Sequence, residues 1–225
     1  LCEWLAIAAD HAESDETRGS WLHRLASAQA GGLGEPARAI ETYEKILTID
    51  EKDHDALTLL AQAYEAQARL SDLLHLLDRR IDGEDDELQK SRLLLEKSRV
   101  AELAEQPMIA FEAANAVFSH LSMGEVADAA LARLRMYYAH PGVPKVDVRA
   151  ALEVQYRARN QEDALIALLR DRMADEPASR ATTAAELCQL LDAQGDLPGA
   201  FYAARDAFLA DPSSMYREEF ERRAE

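Results

Sequence analysis

Histidine and cysteine are the residue types of this chain that could ligate a metal ion or act as a nucleophile, but their spacing predicts neither role. Metal sites need ligands in close pairs on one helix face or in short Cys and His spacings. No two histidines form such a pair, and no cysteine lies near a histidine in the sequence. We therefore predict surface or groove side chains, no metal and no cofactor. The histidines are His11, His23, His54, His75, His120 and His140.

The two cysteines, Cys2 and Cys188, lie far apart in the chain, each within a helical pattern of apolar residues. This placement favours two small, buried hydrophobic side chains in a reducing compartment. A disulfide or a metal pair is the alternative. The cysteines thus favour a cytoplasmic protein.

Two further stretches resemble ligand-binding loops in composition alone. "DGEDDE" at 82–87 lacks the alternating acidic positions, central glycine and distal glutamate of a calcium loop. Acidic residues at the start of a helix, where the helix dipole favours them, explain it better. "GGLG" at 31–34 follows a helix and has no Lys-Ser/Thr after it, so we predict a turn rather than a phosphate loop. With no catalytic constellation, the sequence predicts that the chain is not an enzyme.

The composition is globular and acidic. Of 225 residues, 48% are hydrophobic, and 25 basic against 42 acidic residues give a formal charge of −17. That charge disfavours nucleic acid and anionic membranes as partners and favours a basic or neutral protein or peptide. No run of about 18 apolar residues is present, so no membrane insertion is predicted. The opening "LCEWLAIAAD" lacks the basic region of a signal peptide and starts inside an apolar run without Met, so we expect a piece of a longer protein.

Internal repetition organises the chain. "AFEAANAVF" at 110–118 returns as "AFYAARDAF" at 200–208, an offset of 90, and "ARAIETYEKIL" at 37–47 is a looser relative. A second type, "LLHLLDRRI" at 73–81, returns as "LIALLRDRM" at 165–173, an offset of 92. Such repetition is typical of solenoids, and the apolar residues recur at helical spacing. We predict an all-α superhelical solenoid of antiparallel helix pairs, with about eleven or twelve helices and no sheet.

Alanine at matching places in the repeat has a structural explanation. Two helices of a hairpin approach to about 8–10 Å where the facing side chains are small. Ala110 and Ala200 are therefore predicted to lie at tight helix crossings, with a bulky residue such as Phe208 filling the gap to the next unit. One unit cannot bury its apolar face alone, so stacked neighbours complete the core.

The unit near the C-terminus resembles a tetratricopeptide repeat, whose pattern runs through a small residue, Leu, a Gly turn, further small and bulky residues, and a closing Pro. The alternation of long and short units is also similar to very long tetratricopeptide-repeat proteins of predatory and gliding bacteria. The resemblance implies that first helices line a concave groove that binds peptides. The matching residues are Ala184, Leu187, Cys188, Leu191, Gly195, Ala200, Ala204, Ala207 and Pro212.

Breaks rich in Gly and Pro divide the chain into helix-turn-helix units of two lengths. We predict a single α-solenoid over 1–225. Its parts are a partial helix or preceding unit at 1–16, a long unit at 17–50, a short unit at 53–82, a long unit at 85–121, an irregular extra helix and loop at 123–144, a short unit at 145–175, a tetratricopeptide-like unit at 178–212 and a terminal helix at 213–225.

Groove residues are expected on the exposed stripe of each first helix, where packing does not require polar side chains. Arg92 and Arg99 could hold a carboxylate in a bidentate fashion. The alternative is that they pair with Glu96 and Glu102 on their own helix. The Lys and Asn clamp of chaperone-tail-binding family members is absent. The candidates are Thr58, Gln62, Glu65, Arg92, Leu95, Arg99, Arg157 and Gln189.

Together these features predict a non-catalytic interaction scaffold that binds a peptide or protein partner in its concave groove. The alternative is a purely structural spacer within a longer repeat protein. An exposed apolar patch in the groove favours binding over spacing.

Overall fold

The computed structural model describes residues 1–32 and 35–224, and helix is their only regular secondary structure. Helix accounts for 81% of the chain, and the described residues contain no strand. The all-α prediction is confirmed. Leu33 and Gly34 of the predicted "GGLG" turn, and Glu225 of the predicted terminal helix, lie outside the described residues. None of the described helices combines the length and apolar character that crossing a bilayer requires.

The chain divides into two compact units, Leu1–Arg133 and Leu134–Glu225. The described residues form thirteen α-helices, slightly more than the sequence predicts. Those of the first unit are α1 (Cys2–Asp10), α2 (Asp15–Ser27), α3 (Pro36–Ile49), α4 (His54–Ala66), α5 (Leu70–Asp82), α6 (Glu87–Leu103) and α7 (Pro107–Ala116), and α8 (Glu125–Tyr137) contains the division. Those of the second unit are α9 (Lys145–Ala158), α10 (Glu162–Asp175), α11 (Arg180–Ala193), α12 (Leu197–Ala210) and α13 (Ser214–Ala224).

Short acidic side chains start several helices. The Asp53 carboxylate accepts a hydrogen bond from the Ala56 N–H at 2.8 Å, and the Asp86 carboxylate accepts one from the Gln89 N–H at 2.8 Å. Each bond satisfies a backbone N–H that the first turn of a helix leaves without an internal partner. These caps fix where α4 and α6 begin, and therefore which residues of each helix face outward.

Four helix pairs close through the same turn. After α4, the Arg69 N–H donates to the Tyr64 carbonyl at 2.9 Å and the Ala68 N–H donates to the Glu65 carbonyl at 3.0 Å. These two hydrogen bonds define a Schellman turn, which places one residue in the left-handed region of backbone conformation. The left-handed residues of the four pairs are Ala68 (φ 52°), Glu105 (φ 56°), Asn160 (φ 53°) and Gly195 (φ 81°). Only the last of these four residues is a glycine, so a glycine in the sequence predicts the turn in just one of the four pairs.

Small residues lie where paired helices meet. Ser98 of α6 and Ala110 of α7 are fully buried, and the Ser98 hydroxyl donates to the Ala110 carbonyl at 2.7 Å. Ala200 of α12 is equally buried and shares a core cluster with Leu187 and Cys188 of α11. Both predicted alanine positions are thus buried inside the helix pairs.

Candidate partner-binding surface

α4 presents three of the candidate residues on one exposed face. Thr58, Gln62 and Glu65 lie four and three residues apart, so they share a side of the helix, and all three are exposed. The opposite side is buried. Its residues are Ala56, Leu57, Leu60, Ala61 and Tyr64.

α6 presents the next three candidates. Arg92 and Arg99 are exposed and lie seven residues apart, which is about two helical turns. Leu95 lies between them but is partly buried, because it packs against a cluster that contains Leu94 and Val117. Leu95 therefore belongs partly to the core, and the arginines carry most of the exposed surface here.

An ion pair joins these two helices. Arg99 Nη2 lies 2.9 Å from Glu65 Oε1, and the two side chains remain 45% and 48% exposed. In the alternative interpretation Arg99 pairs with Glu102 within α6, but the Glu102 carboxylate instead binds Arg133, which also donates to the Ser98 hydroxyl at 2.7 Å. The structure thus brings two candidates, Glu65 and Arg99, into direct contact.

The pair between Glu65 and Arg99 is one of a series. In each Schellman turn, the N–H of the left-handed residue donates a hydrogen bond to the carbonyl of a residue that has a charged side chain. That side chain forms an ion pair with a residue of the helix two further along the chain. We call this series the inter-helix ladder. Its members are Glu65–Arg99 and Glu102–Arg133 in the first unit, and Arg157–Glu186 at 2.6 Å and Asp192–Arg223 at 2.9 Å in the second.

The remaining candidates lie in the second unit. Arg157 of α9 is exposed and pairs with Glu186 of α11 and, at 3.2 Å, with Glu153 of its own helix. Gln189 of α11 is exposed and lines a cavity of about 400 Å³ between α11, α12 and α13. Arg157 therefore belongs to the ladder, whereas Gln189 lies beside its last pair, three residues before Asp192.

Sequence reasoning missed a buried arginine in α9. The Arg149 side chain is only 2% exposed, and its guanidinium donates to Asp175 at 2.6 Å, to Asp171 at 3.2 Å and to Glu176. Lys145 Nζ lies 2.8 Å from both aspartates. The signal for this cluster was the offset of 92, which aligns Arg149 with the buried Leu57 and so places a charge at a core position.

The surrounding groups keep this cluster ionised. Hydrogen bonds from Lys145 and from the Tyr138 hydroxyl lower the pKa of Asp171 to about 2. Hydrogen bonds from Lys145 and Arg149 also lower the pKa of Asp175. The cluster ties α9 to the end of α10 at neutral pH.

Cysteine and histidine side chains outside these clusters are the remaining candidates for chemistry. No group of three or more His, Cys, Asp or Glu side chains in residues 1–32 and 35–224 could hold a metal. Cys2 and Cys188 are free thiols, and burial raises the pKa of Cys188, which makes it a weak nucleophile at neutral pH. His23 and His120 bind carboxylates, Asp53 and Glu87 respectively. These groups can stabilise helix contacts.

Known proteins match this chain only in structure. No protein-family model and no curated protein matches it. A tetratricopeptide repeat protein from Parabacteroides merdae is 12% identical, with a TM-score of 0.43 over 100% of this chain and 91% of its own. YrrB, a TPR protein with an unusual peptide-binding site, is 13% identical, with a TM-score of 0.35 over 99% of this chain and 100% of its own. TTC0263, a TPR protein of Thermus thermophilus, is 18% identical, with a TM-score of 0.33 over 92% of this chain and 98% of its own.

Such low identities and TM-scores carry no information about a ligand. The features that define the fold belong to this chain itself: repeated antiparallel helix pairs, the shared Schellman turn, and the small residues Ala110 and Ala200 at the crossings. On these features, the chain has a helical-repeat fold of the tetratricopeptide type.

Proposed function

We propose that the chain is a non-catalytic scaffold that binds a peptide or protein partner on the exposed faces of α4 and α6. The observation that carries this proposal is the Arg99–Glu65 pair, which joins two exposed polar faces where packing requires no polar residue. Thr58, Gln62 and Arg92 extend the same faces. In the second unit, Arg157 and Gln189 offer comparable exposed polar groups on α9 and α11.

Arg99 is available to a ligand because its present partner holds it weakly. An ion pair between half-exposed side chains contributes about 0–1 kcal/mol. A carboxylate that binds Arg99 in a bidentate fashion, in a contact from which water is excluded, contributes more free energy than that pair does. Arg92 has no ion-pair partner among the described residues and lies about two turns away. The two arginines together would hold an acidic group or C-terminal carboxylate of an otherwise neutral ligand.

The remaining surface sets the overall character of the partner. At a formal charge of −17, long-range attraction favours partners that are basic or neutral overall.

Free thiols at Cys2 and Cys188 fit a reducing compartment, so we place the protein in the cytoplasm. We further propose that the repeat divides into alternating long and short units, with an irregular helix and loop at 123–144.

Peptide selection followed by calorimetry tests the proposal. Peptides are selected from a random library on the full chain, and their affinity is measured for Arg92→Ala/Arg99→Ala. We expect a loss of about 2–5 kcal/mol if the arginines hold a desolvated carboxylate. The matched control is Arg18→Ala/Arg38→Ala, which removes two arginines that each pair with the carboxylate three residues before them, Asp15 and Glu35. Peptides that bind both variants as tightly as the unmodified chain would refute this site.

The ladder also supports a second function, that of a spacer. Charged pairs between helices two apart in the chain fasten each repeat to the next, which suits a segment that separates other domains. A spacer predicts that no library peptide binds the faces of α4 and α6, while loss of ladder pairs such as Asp192–Arg223 still lowers the stability of the stack. The selection experiment therefore separates the two functions.

A further inference from the structure

The second unit contains a cavity on a different set of helices. It has a volume of about 620 Å³, within the range of about 300–1,000 Å³ that is usual for ligand sites. Residues of α10, α11 and α12 line it, with Pro177 at one edge. No candidate residue from the sequence lies in this cavity.

The floor of the cavity is apolar. Leu187 and Leu191 of α11 and Ala203 of α12 line it and are each less than 5% exposed. Met173 of α10 is half-buried at its side, and Tyr202 of α12 is 55% exposed at its edge. An apolar side chain of a ligand would therefore replace water over buried leucines and meet an aromatic ring.

Two arginines line the same cavity. Arg170 and Arg180 are exposed, and neither forms an ion pair, hydrogen bond or ring contact with any residue that the structure describes. Every other arginine of the second unit makes at least one such contact. In a chain with 42 acidic residues, two unpaired arginines beside one apolar cavity are a concentration of unused positive charge.

One carboxylate, that of Asp206, also lines the cavity, and it has an arginine beside it. Asp206 lies 3.3 Å from Arg205, which itself stacks over the Tyr202 ring at 5.1 Å. Two arginines against one aspartate give the lining of the cavity a net positive charge. Its complement is a ligand that carries carboxylates next to an apolar side chain.

We propose that this cavity binds a short acidic peptide segment of a partner protein, in which Asp or Glu flanks a Leu, Met or Phe. The apolar side chain lies over Leu187 and Leu191, and the carboxylates bind Arg170 and Arg180. This site lies on α10, α11 and α12 and does not depend on the proposed surface of α4 and α6.

A counter-selected peptide library tests this site. Random peptides are selected on the full chain, and each recovered peptide is measured by fluorescence anisotropy on the unmodified chain and on Arg170→Ala/Arg180→Ala. Because neither arginine forms a hydrogen bond, ion pair or ring contact with a described residue, the double substitution breaks none of these interactions. We expect a class of peptides with Asp or Glu beside a large apolar residue to bind the variant at least about tenfold more weakly.

Two controls test whether that loss of affinity is specific to the cavity. Arg217→Ala/Arg222→Ala removes the same charge from exposed positions of α13 outside the cavity, and we expect affinity within about twofold of the unmodified chain. Arg92→Ala/Arg99→Ala should leave this peptide class unaffected, which distinguishes it from ligands of α4 and α6. Tyr202→Ala should weaken the same peptides.

Three results would overturn the proposal. One is the absence of any peptide that loses affinity selectively on Arg170→Ala/Arg180→Ala. Another is that the selective peptides lack Asp and Glu. The third is displacement of the peptides by inorganic phosphate as effectively as by unlabelled peptide, which would assign the arginines to a phosphate group instead.

Discussion

Arg99 and Arg149 differ in how deeply their side chains are buried. Arg99 and its partner Glu65 stay about half-exposed, so their ion pair is replaceable by a ligand at little cost. Arg149 is 2% exposed and held by three carboxylates, so removal of one partner leaves charge without adequate solvation. The first belongs to a surface that can bind a partner, whereas the second belongs to the framework of the second unit.

The Asp171 carboxylate makes stability depend on pH. Its pKa in the folded chain, about 2, is below the ordinary 3.8, so its stabilising contribution is present above pH 4 and is lost as the pH falls towards 2. Asp171→Asn should destabilise the chain at pH 7, and its difference from the unmodified chain should shrink between pH 4 and pH 2. Urea unfolding at several pH values measures this. A difference that is the same at pH 7 and pH 2 would contradict the assignment.

The fully buried Ala200 should not tolerate a larger side chain. Ala200→Leu should overpack the contact between α11 and α12 and lower the free energy of unfolding by about 1–3 kcal/mol. Ala210→Leu, at an exposed position of the same helix, is the control and should change it by less than about 0.5 kcal/mol. Urea denaturation of both variants is the measurement, and equal midpoints would show that Ala200 is not at a tight crossing.

At the scale of elements, the Schellman turn repeats more regularly than the sequence does. Four helix pairs share its two backbone hydrogen bonds, although alanine, glutamate and asparagine replace glycine in three of them. A non-glycine residue in the left-handed region is strained by its Cβ atom. Stacking of the helix pairs must therefore stabilise a turn that the local residues disfavour.

Glycine substitutions measure that strain. Glu105→Gly should stabilise the chain by about 0.5–1 kcal/mol, because the relief at φ 56° exceeds the added entropy of the unfolded glycine. Gly195→Ala should cost roughly 1–2 kcal/mol. A Cβ atom at Gly195 would meet no atom within 4 Å, so that cost reports backbone strain alone. Thermal and urea unfolding give both values, and changes of the opposite sign would rule out this account of the turns.

At the scale of the whole molecule, the chain consists of two compact units with the division between Arg133 and Leu134. Each unit contains its own helix pairs, ladder pairs and buried core. The loop that follows α8 carries Pro141 and Gly142, both exposed, and begins the connection to α9.

Limited proteolysis should cut this loop first. Between Tyr138 and Lys145 the backbone leaves the helical hydrogen-bond pattern, and Ala139 to Gly142 is exposed. Brief digestion with a protease of broad specificity, followed by mass spectrometry, should give two fragments that end in this interval. A first cut within 93–118, inside α6 and α7, would be inconsistent with the protection expected of a buried helix pair.

The sequence by itself determined the local features. Apolar spacing of three and four residues predicted the helices, and the offset of 90 matched Ala110 to Ala200 inside two helix pairs. The glycine turn at Gly195 was likewise visible. These features follow from the sequence because helix periodicity, turn chemistry and small residues at crossings depend on neighbours within a few positions.

Only the tertiary structure decided which charged groups meet. Arg99 has Glu102 three residues away on its own helix, yet it binds Glu65 on α4, and Glu102 binds Arg133. The free arginines Arg170 and Arg180 likewise share one cavity although ten positions separate them. Such contacts depend on the rotation and spacing of packed helices, which a repeat pattern leaves undetermined, because charged side chains are long enough to reach several partners.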